Sequence, residues 1–274
     1  MAASTATGAP HAQRGRAVRW RRRLISVAVV LLLAEAASLT GVISPALLPP
    51  VSSVLGRTAG LLGNATFLGD LAATLAAWAV GLAITVAVAV PCGVLLGSLP
   101  GVRTATRALV EFLRPIPSVA LIPLVGLVLG IGLRMVVTLI VYAAVWPVLI
   151  NTIYGLDEVD PLAKDTLRAF GFGRLAVIWM VSLPSAAPFI ATGVRLASSI
   201  AIILDVGVGI VTGPVDGPGI GAFIANANSN GGDTALVLAA TVWAGILGFV
   251  LNALLVQAER RVFRWHHAHT EDLR

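Results

Sequence analysis

Apolar residues run along this chain in blocks of helix length. Leu24 to Ile43, Leu71 to Gly97 and Thr234 to Val256 are apolar on every face, whereas strands of a membrane barrel would alternate with a period of two. Ile116 to Gly132, Met135 to Ile153 and Pro188 to Val211 are also apolar but are punctuated by Pro117, Pro123, Gly126, Gly130, Pro147 and Gly193. A bilayer core about 30 Å thick needs roughly 20 apolar residues of helix, and only helices or closed barrels satisfy every backbone group inside it. The pattern therefore predicts an all-α integral membrane protein with about six transmembrane helices, at 24–43, 71–97, 116–132, 135–153, 188–211 and 234–256. The third span is the shortest and carries two prolines, so it is expected to be kinked or partly unwound and to face protein rather than lipid.

Composition agrees. Hydrophobic residues make up 57% of the 274 and charged residues 12%, where a soluble domain carries about 25% charge. The basic residues are placed unevenly. Six arginines precede the first span, three lie in 98–115, Lys164, Arg168 and Arg174 lie in 155–184, and four follow Val256. Cytoplasmic connections are enriched in Lys and Arg, so these sixteen of nineteen mark one side as cytoplasmic, with both termini on it. Only Arg57 and Arg134 fall in the opposite connections. The expected organisation is a basic, disordered cytoplasmic tail at 1–23, a membrane domain at 24–256 with a cytoplasmic loop at 155–184, and a second basic tail at 257–274. The Arg21 to Arg23 cluster beside a span is read as topology and contact with anionic lipid headgroups, not nucleic acid. The run Leu24 to Ile43 is longer than the apolar core of a cleaved signal peptide.

Several chemistries are missing. His11, His266, His267 and His269 all lie in the polar tails, which removes a Ser–His dyad or a histidine-ligated metal from the membrane interior. The single Cys92 permits no intrachain disulfide and reads as a small buried hydrophobe. Lys164 is the only lysine and follows Ala163, so the GxxxxGK[ST] phosphate cradle is absent. If ATP drives this protein, it must bind on another polypeptide.

The loop 155–184 carries helix signals. Asp160 is placed as an N-cap, Pro161 occupies the first helical position, and Gly171 can take the left-handed conformation that ends a helix. A helix over Pro161 to Phe170 follows, about 15 Å long, with Leu162, Thr166, Leu167 and Phe170 broadly along one side. Three covers for that side stand open: its own membrane domain, the lipid interface, or a groove in a soluble partner.

The spacing of Asp165, Gly171, Val181, Leu183 and Pro184 resembles the EAA loop in permease subunits of ABC importers. Asp165 stands for the usual glutamate, Thr166 and Leu167 for two alanines, and Val181 for isoleucine. RPIPSVALIPL at Arg114 to Leu124, GIG at Gly130 to Gly132, PVLINT at Pro147 to Thr152 and GVR at Gly193 to Arg195 further resemble the nitrate, aliphatic sulfonate and taurine branch of the binding-protein-dependent type I, MetI-like, family. The resemblance covers about Leu71 to Phe263. It implies a type I ABC importer permease fold in the cell membrane, working with a second permease subunit, a cytoplasmic ABC ATPase that binds ATP and Mg, and an extracytoplasmic substrate-binding protein. No cofactor is then expected on this chain. Asp165, Thr166, Leu167, Arg168, Phe170, Gly171, Leu183 and Pro184 become the expected coupling residues. The solute is expected to be a small anion such as an aliphatic sulfonate, taurine or nitrate, with a thiamine-precursor pyrimidine or another small molecule as the alternative.

Ionisable groups within spans are functional candidates by default. Arg195 either snorkels back to the cytoplasmic interface or lines the translocation path. Asp205 is either a solvated outer helix end or a replacement for a glutamate that relatives carry about one turn later. Glu35 is expected to pair with a neighbour or to stay protonated rather than to touch substrate. Arg107, Glu111 and Arg114 suggest a charge ladder on a short cytoplasmic helix, and Gly213 to Asn230 reads as a turn-rich outer connection that could receive the binding protein. An intramembrane lipid-modifying enzyme is the rival from another class, but Glu35 and Asp205 are isolated and no histidine joins them.

Overall fold

The computed structural model describes residues 11–213, 217–229 and 232–262. Every regular element among them is helical. In chain order these are α1 (His11–Leu39), α2 (Val51–Gly60), α3 (Ala65–Ser98), α4 (Pro100–Leu113), α5 (Ile122–Leu129), α6 (Leu133–Asp157), α7 (Pro161–Ala169), α8 (Arg174–Val177), α9 (Leu183–Thr212), α10 (Ile220–Ser229) and α11 (Thr234–Val262). A five-residue π-helical segment, Ile178–Ser182, joins α8 to α9, so that Arg174–Thr212 is one 39-residue rod.

The core is the contact of α3, α6 and α9. Ala77 and Ala89 of α3 meet Met135, Leu139, Ile140, Ala144 and Val148 of α6 and Ala197, Ala201 and Val208 of α9. Alanine recurs because helices surrounded by lipid gain little from apolar burial and associate through close packing of small side chains. A second cluster joins Phe67 at the start of α3 to Ile220 and Ile224 of α10 and Ala239, Ala240 and Leu247 of α11. Phe67 and Phe223 meet edge to face with centroids 5.2 Å apart, a favoured aromatic geometry. Where α9 crosses α10 the backbones touch. A Cβ on Gly221 would lie 2.2 Å from the Val206 carbonyl oxygen and 2.9 Å from Gly209 Cα, so only glycine fits there.

Four helices among the described residues are long and apolar enough to cross a membrane: Ala65–Ser98, Leu133–Asp157, Arg174–Thr212 and Thr234–Val262. A fifth span results if α4 and the segment Ser118–Leu129 are taken together, although they are bent by 78°. The expected third span, 116–132, is thus no straight helix. Pro115 and Pro117 remove two amide donors, and Pro117 itself is extended, with ψ 119°. One side of the segment packs on its own chain, with Ile122 buried among α6 residues, while Leu124, Leu127 and Val128 are exposed. The apolar part of the expected first span is the shorter helix Ile25–Leu39, stopped before Gly41, which has φ +73°. In the other direction α1 reaches back to His11, into the stretch expected to be disordered.

Three more expectations change. The outer connection Gly213 to Asn230 contains α10, whose Ile220, Gly221, Ala222, Ile224 and Ala225 are buried. Cys92 is exposed, not buried. Leu183 and Pro184 open α9 inside the long rod and do not belong to a loop. The tail residues 1–10 and 263–274, with His266, His267 and His269, lie outside the described residues, as do 214–216 and 230–231.

Candidate functional site

The helix expected from the loop sequence forms as α7. Asp160 Oδ1 accepts a hydrogen bond from the Leu162 amide at 2.8 Å, one of the amides that a helix start leaves unpaired. Pro161 at the first position has no amide to satisfy. At the other end Gly171 has φ +83°, the Phe172 amide donates to the Leu167 carbonyl at 3.1 Å, and the Gly171 amide donates to the Arg168 carbonyl at 2.9 Å. This six-to-one and five-to-two pair is a Schellman motif, and its left-handed position explains the glycine.

Both flanks of α7 are fastened. Lys164 Nζ donates to the Leu156 carbonyl in the last turn of α6 at 3.1 Å, and Arg103 of α4 grips Asp157 at 2.8 Å. Val159 is buried in the link between α6 and α7. Away from these anchors α7 presents Leu162, 71% exposed, and Phe170, 76% exposed. Asp165 and Arg168 form an exposed ion pair at 3.0 Å between them, and Thr166 is exposed as well. Leu167 departs from the expected grouping because it is half-buried on the inner side with Ala163. The α7 surface is therefore an apolar and charged patch on a short helix tied to the bundle through α6.

Leu183 and Pro184 serve the rod instead. Pro184 has no amide to donate and its ring collides with the carbonyl four residues earlier in a regular helix. The wider π turn at Ile178–Ser182, immediately before it, accommodates that ring.

Within the bundle Arg195 and Glu259 form an ion pair at 3.7 Å between α9 and α11. Sequence reasoning missed Glu259, which is 64 positions away in the chain and can be matched to Arg195 only once the helix crossing is known. Arg107 and Glu111 pair at 2.8 Å on α4, as their spacing suggested; Arg114 caps the end of that helix without joining them. Glu35 also finds its neighbour, accepting from the Ser52 hydroxyl at 2.7 Å and from the Ser52 amide at 3.2 Å, and so caps the start of α2.

Asp205 is not a solvated end. It is 6% exposed, lines a cavity of about 100 Å³ between α3, α6, α9 and α10, and its Oδ2 has no hydrogen-bond partner among the described residues. The Thr74 hydroxyl accepts from the Ile220 amide at 3.1 Å. Asp70 Oδ1 accepts from the Gly219 amide at 2.9 Å. Two side chains of α3 thus hold the first turn of α10 against the cavity. An unmatched buried acceptor costs about 1–3 kcal/mol.

The chain is an all-helical, polytopic bundle with a fastened short helix at one end and a carboxyl-bearing cavity toward the other, an architecture found in membrane transport subunits. Residues 89–264 match the family described as binding-protein-dependent transport system inner membrane component, and the chain belongs to that family. It is 29% identical to the taurine transport system permease protein TauC of Escherichia coli (strain K12), across 88% of each chain. It is also 29% identical to the nitrate import permease protein NrtB of Leptolyngbya laminosa, across 68% of this chain and 65% of that protein. Its fold is similar to that of a chain in an inward-facing structure of the MetNI methionine ABC transporter, with a TM-score of 0.62 and 21% identity, covering 70% of this chain and 94% of that one. The protein is a multi-pass permease subunit of the plasma membrane and not an enzyme.

Proposed function

We propose that this chain forms half of the solute path of an ATP-driven importer and receives its drive through α7. The observation that carries this reading is the contrast on α7 itself: Leu162 and Phe170 are exposed on a helix whose ends are fixed by Asp160, Gly171 and the Lys164 bond to α6. A free loop would absorb a push, whereas this helix passes it to α6 and, through the Arg174–Thr212 rod, to α9. Asp165, Thr166, Arg168, Phe170 and Gly171 form or shape the docking surface. Leu167, Leu183 and Pro184 hold it in register with the bundle.

The partner is a cytoplasmic ABC ATPase that binds ATP and Mg and whose closure shifts the bundle between inward-open and outward-open states. A second permease subunit, identical or paralogous, completes the path, and an extracytoplasmic binding protein delivers the solute. Both termini and α7 lie on the cytoplasmic side. The solute is a small organic or inorganic anion of the kind named for the relatives, and Arg195 and Asp205 lie on or beside its path. Reconstitution with the ATPase and binding protein in liposomes tests the reading. ATP-dependent accumulation of radiolabelled taurine, ethanesulfonate or nitrate is expected, and uptake that proceeds equally without ATP would overturn it.

A further inference from the structure

The cavity at Asp205 has walls that narrow the choice of occupant. Ala73, Ala76 and Ala77 of α3, Met135 and Val136 of α6, and Val208 of α9 line it together with Asp205. The remaining hydroxyl on the wall, Thr212, is already committed to the Val208 carbonyl at 2.9 Å. No lysine or arginine lines it among the described residues. One acceptor oxygen, Oδ2, is buried without a donor.

We infer that this cavity is a subsite for a primary ammonium group carried by a small solute. Three physical points carry it. A carboxyl oxygen enclosed by apolar walls calls for a donor, and an ammonium brings three. A divalent cation such as calcium or magnesium gathers about six or more oxygen ligands, and the described walls offer one carboxyl and one shared hydroxyl. A guanidinium matches a carboxylate through two parallel bonds, but here Oδ2 alone is the carboxyl oxygen buried without a partner. The volume of about 100 Å³ exceeds the roughly 10–15 Å³ that one water needs on the same measure and suits an ammonium with a short aliphatic stem against alanine. The inference rests on the permease reading and narrows it: among the solutes named, it favours those that carry an ammonium beside their acid group, as taurine does, with that ammonium on Asp205.

The assembled complex of permease, ATPase and binding protein in nanodiscs is titrated with methylammonium chloride by calorimetry, without nucleotide and with sodium chloride held in the background. Saturable binding is expected. Asp205→Asn keeps the shape but removes the charge, and is expected to weaken binding roughly tenfold or more, as loss of a charge-assisted hydrogen bond does. Ala76→Leu, at an exposed position on the cavity wall, fills the space without touching the carboxyl and is expected to weaken it similarly. Absence of saturable binding, equal binding by Asp205→Asn, or displacement by equimolar sodium would each overturn the assignment. Because no ATP is present, these outcomes are read separately from ATP-dependent uptake, whose failure would count against the permease reading alone.

Discussion

Lys164 reaches back from α7 and donates to the carbonyl of Leu156 at 3.1 Å, so the chain's sole lysine closes the last turn of α6 while holding α7 beneath it. A cation at a helix C-terminus also meets the negative end of the macrodipole. Lys164→Met keeps the aliphatic stem and removes the donor and charge. The expected cost to folding is small, about 1 kcal/mol, but α7 should lose its fixed angle. In proteoliposomes the ratio of solute imported to ATP hydrolysed is expected to fall while the amount of ATPase bound is unchanged. A normal ratio would show that the tether is not part of the drive.

The patch at Leu162 and Phe170 is expected to act before that step. Both side chains are largely exposed, so Leu162→Glu and Phe170→Glu should leave insertion and thermal stability of the permease alone nearly unchanged, as substitutions at such positions usually do within ~0.5 kcal/mol. A charge pressed into an apolar groove, by contrast, must be desolvated. Pull-down of the ATPase on tagged permease is expected to drop sharply for both variants. Undiminished capture would place the ATPase contact elsewhere.

Gly171 separates conformation from contact. Nothing lies within 4 Å of a Cβ built there, so any defect in Gly171→Ala comes from φ +83°, a region costing an L-residue roughly 1–2 kcal/mol. Gly171→Pro is more severe because it also deletes the amide that bonds Arg168 and fixes φ near −65°. Coupled uptake is expected to decline in the order glycine, asparagine, alanine, proline, asparagine being the side chain that tolerates this region best. A flat series would sink the claim that the Schellman turn sets the helix angle.

Helical class, the α7 helix and its caps were legible in the sequence because each is a local signal: an apolar run, an Asp-Pro start, a glycine stop. What could not be read depended on which helices touch. Glu259 became Arg195's partner through the crossing of α9 and α11. Asp205 looked hydrated because it lies near a helix end, yet Asp70 and Thr74 of α3 draw the glycine-rich loop and α10 over it. The hidden helix α10 had no strong start signal, and its glycine and alanine content resembled a connection until their role in close packing was visible. Pro117 was counted inside a span, although together with Pro115 it sits where the chain turns between α4 and α5.

That close packing is itself testable. Gly221 sits where a Cβ would be 2.2 Å from the Val206 carbonyl oxygen, a backbone atom that cannot swing aside, whereas a Cβ on Gly245 of α11 meets nothing within 4 Å. Gly221→Ala is expected to pry α10 from α9 and to destabilise by about 1–3 kcal/mol, the range for overpacking. Gly245→Ala is expected to be neutral or stabilising by about 0.5–1 kcal/mol, since alanine is the better helix residue. Thermal unfolding of the purified permease in detergent compares the two directly. Equal melting temperatures would mean that the two helices are not held backbone to backbone in the folded protein.

The Arg195–Glu259 pair separates a packing role from a transport role for the arginine. If the pair only ties α9 to α11, Arg195→Ala and Glu259→Ala should reduce uptake and melting temperature alike, and the double variant should add little, because residues in contact are not additive. Exchange of the two charges, Arg195→Glu with Glu259→Arg, should then restore part of the loss. Partial exposure of both side chains limits the expected stability change to about 1 kcal/mol. Should Arg195→Ala abolish uptake of the anionic solute while Glu259→Ala leaves it intact, the arginine meets the solute itself, and the ion pair is only where it rests between turnovers.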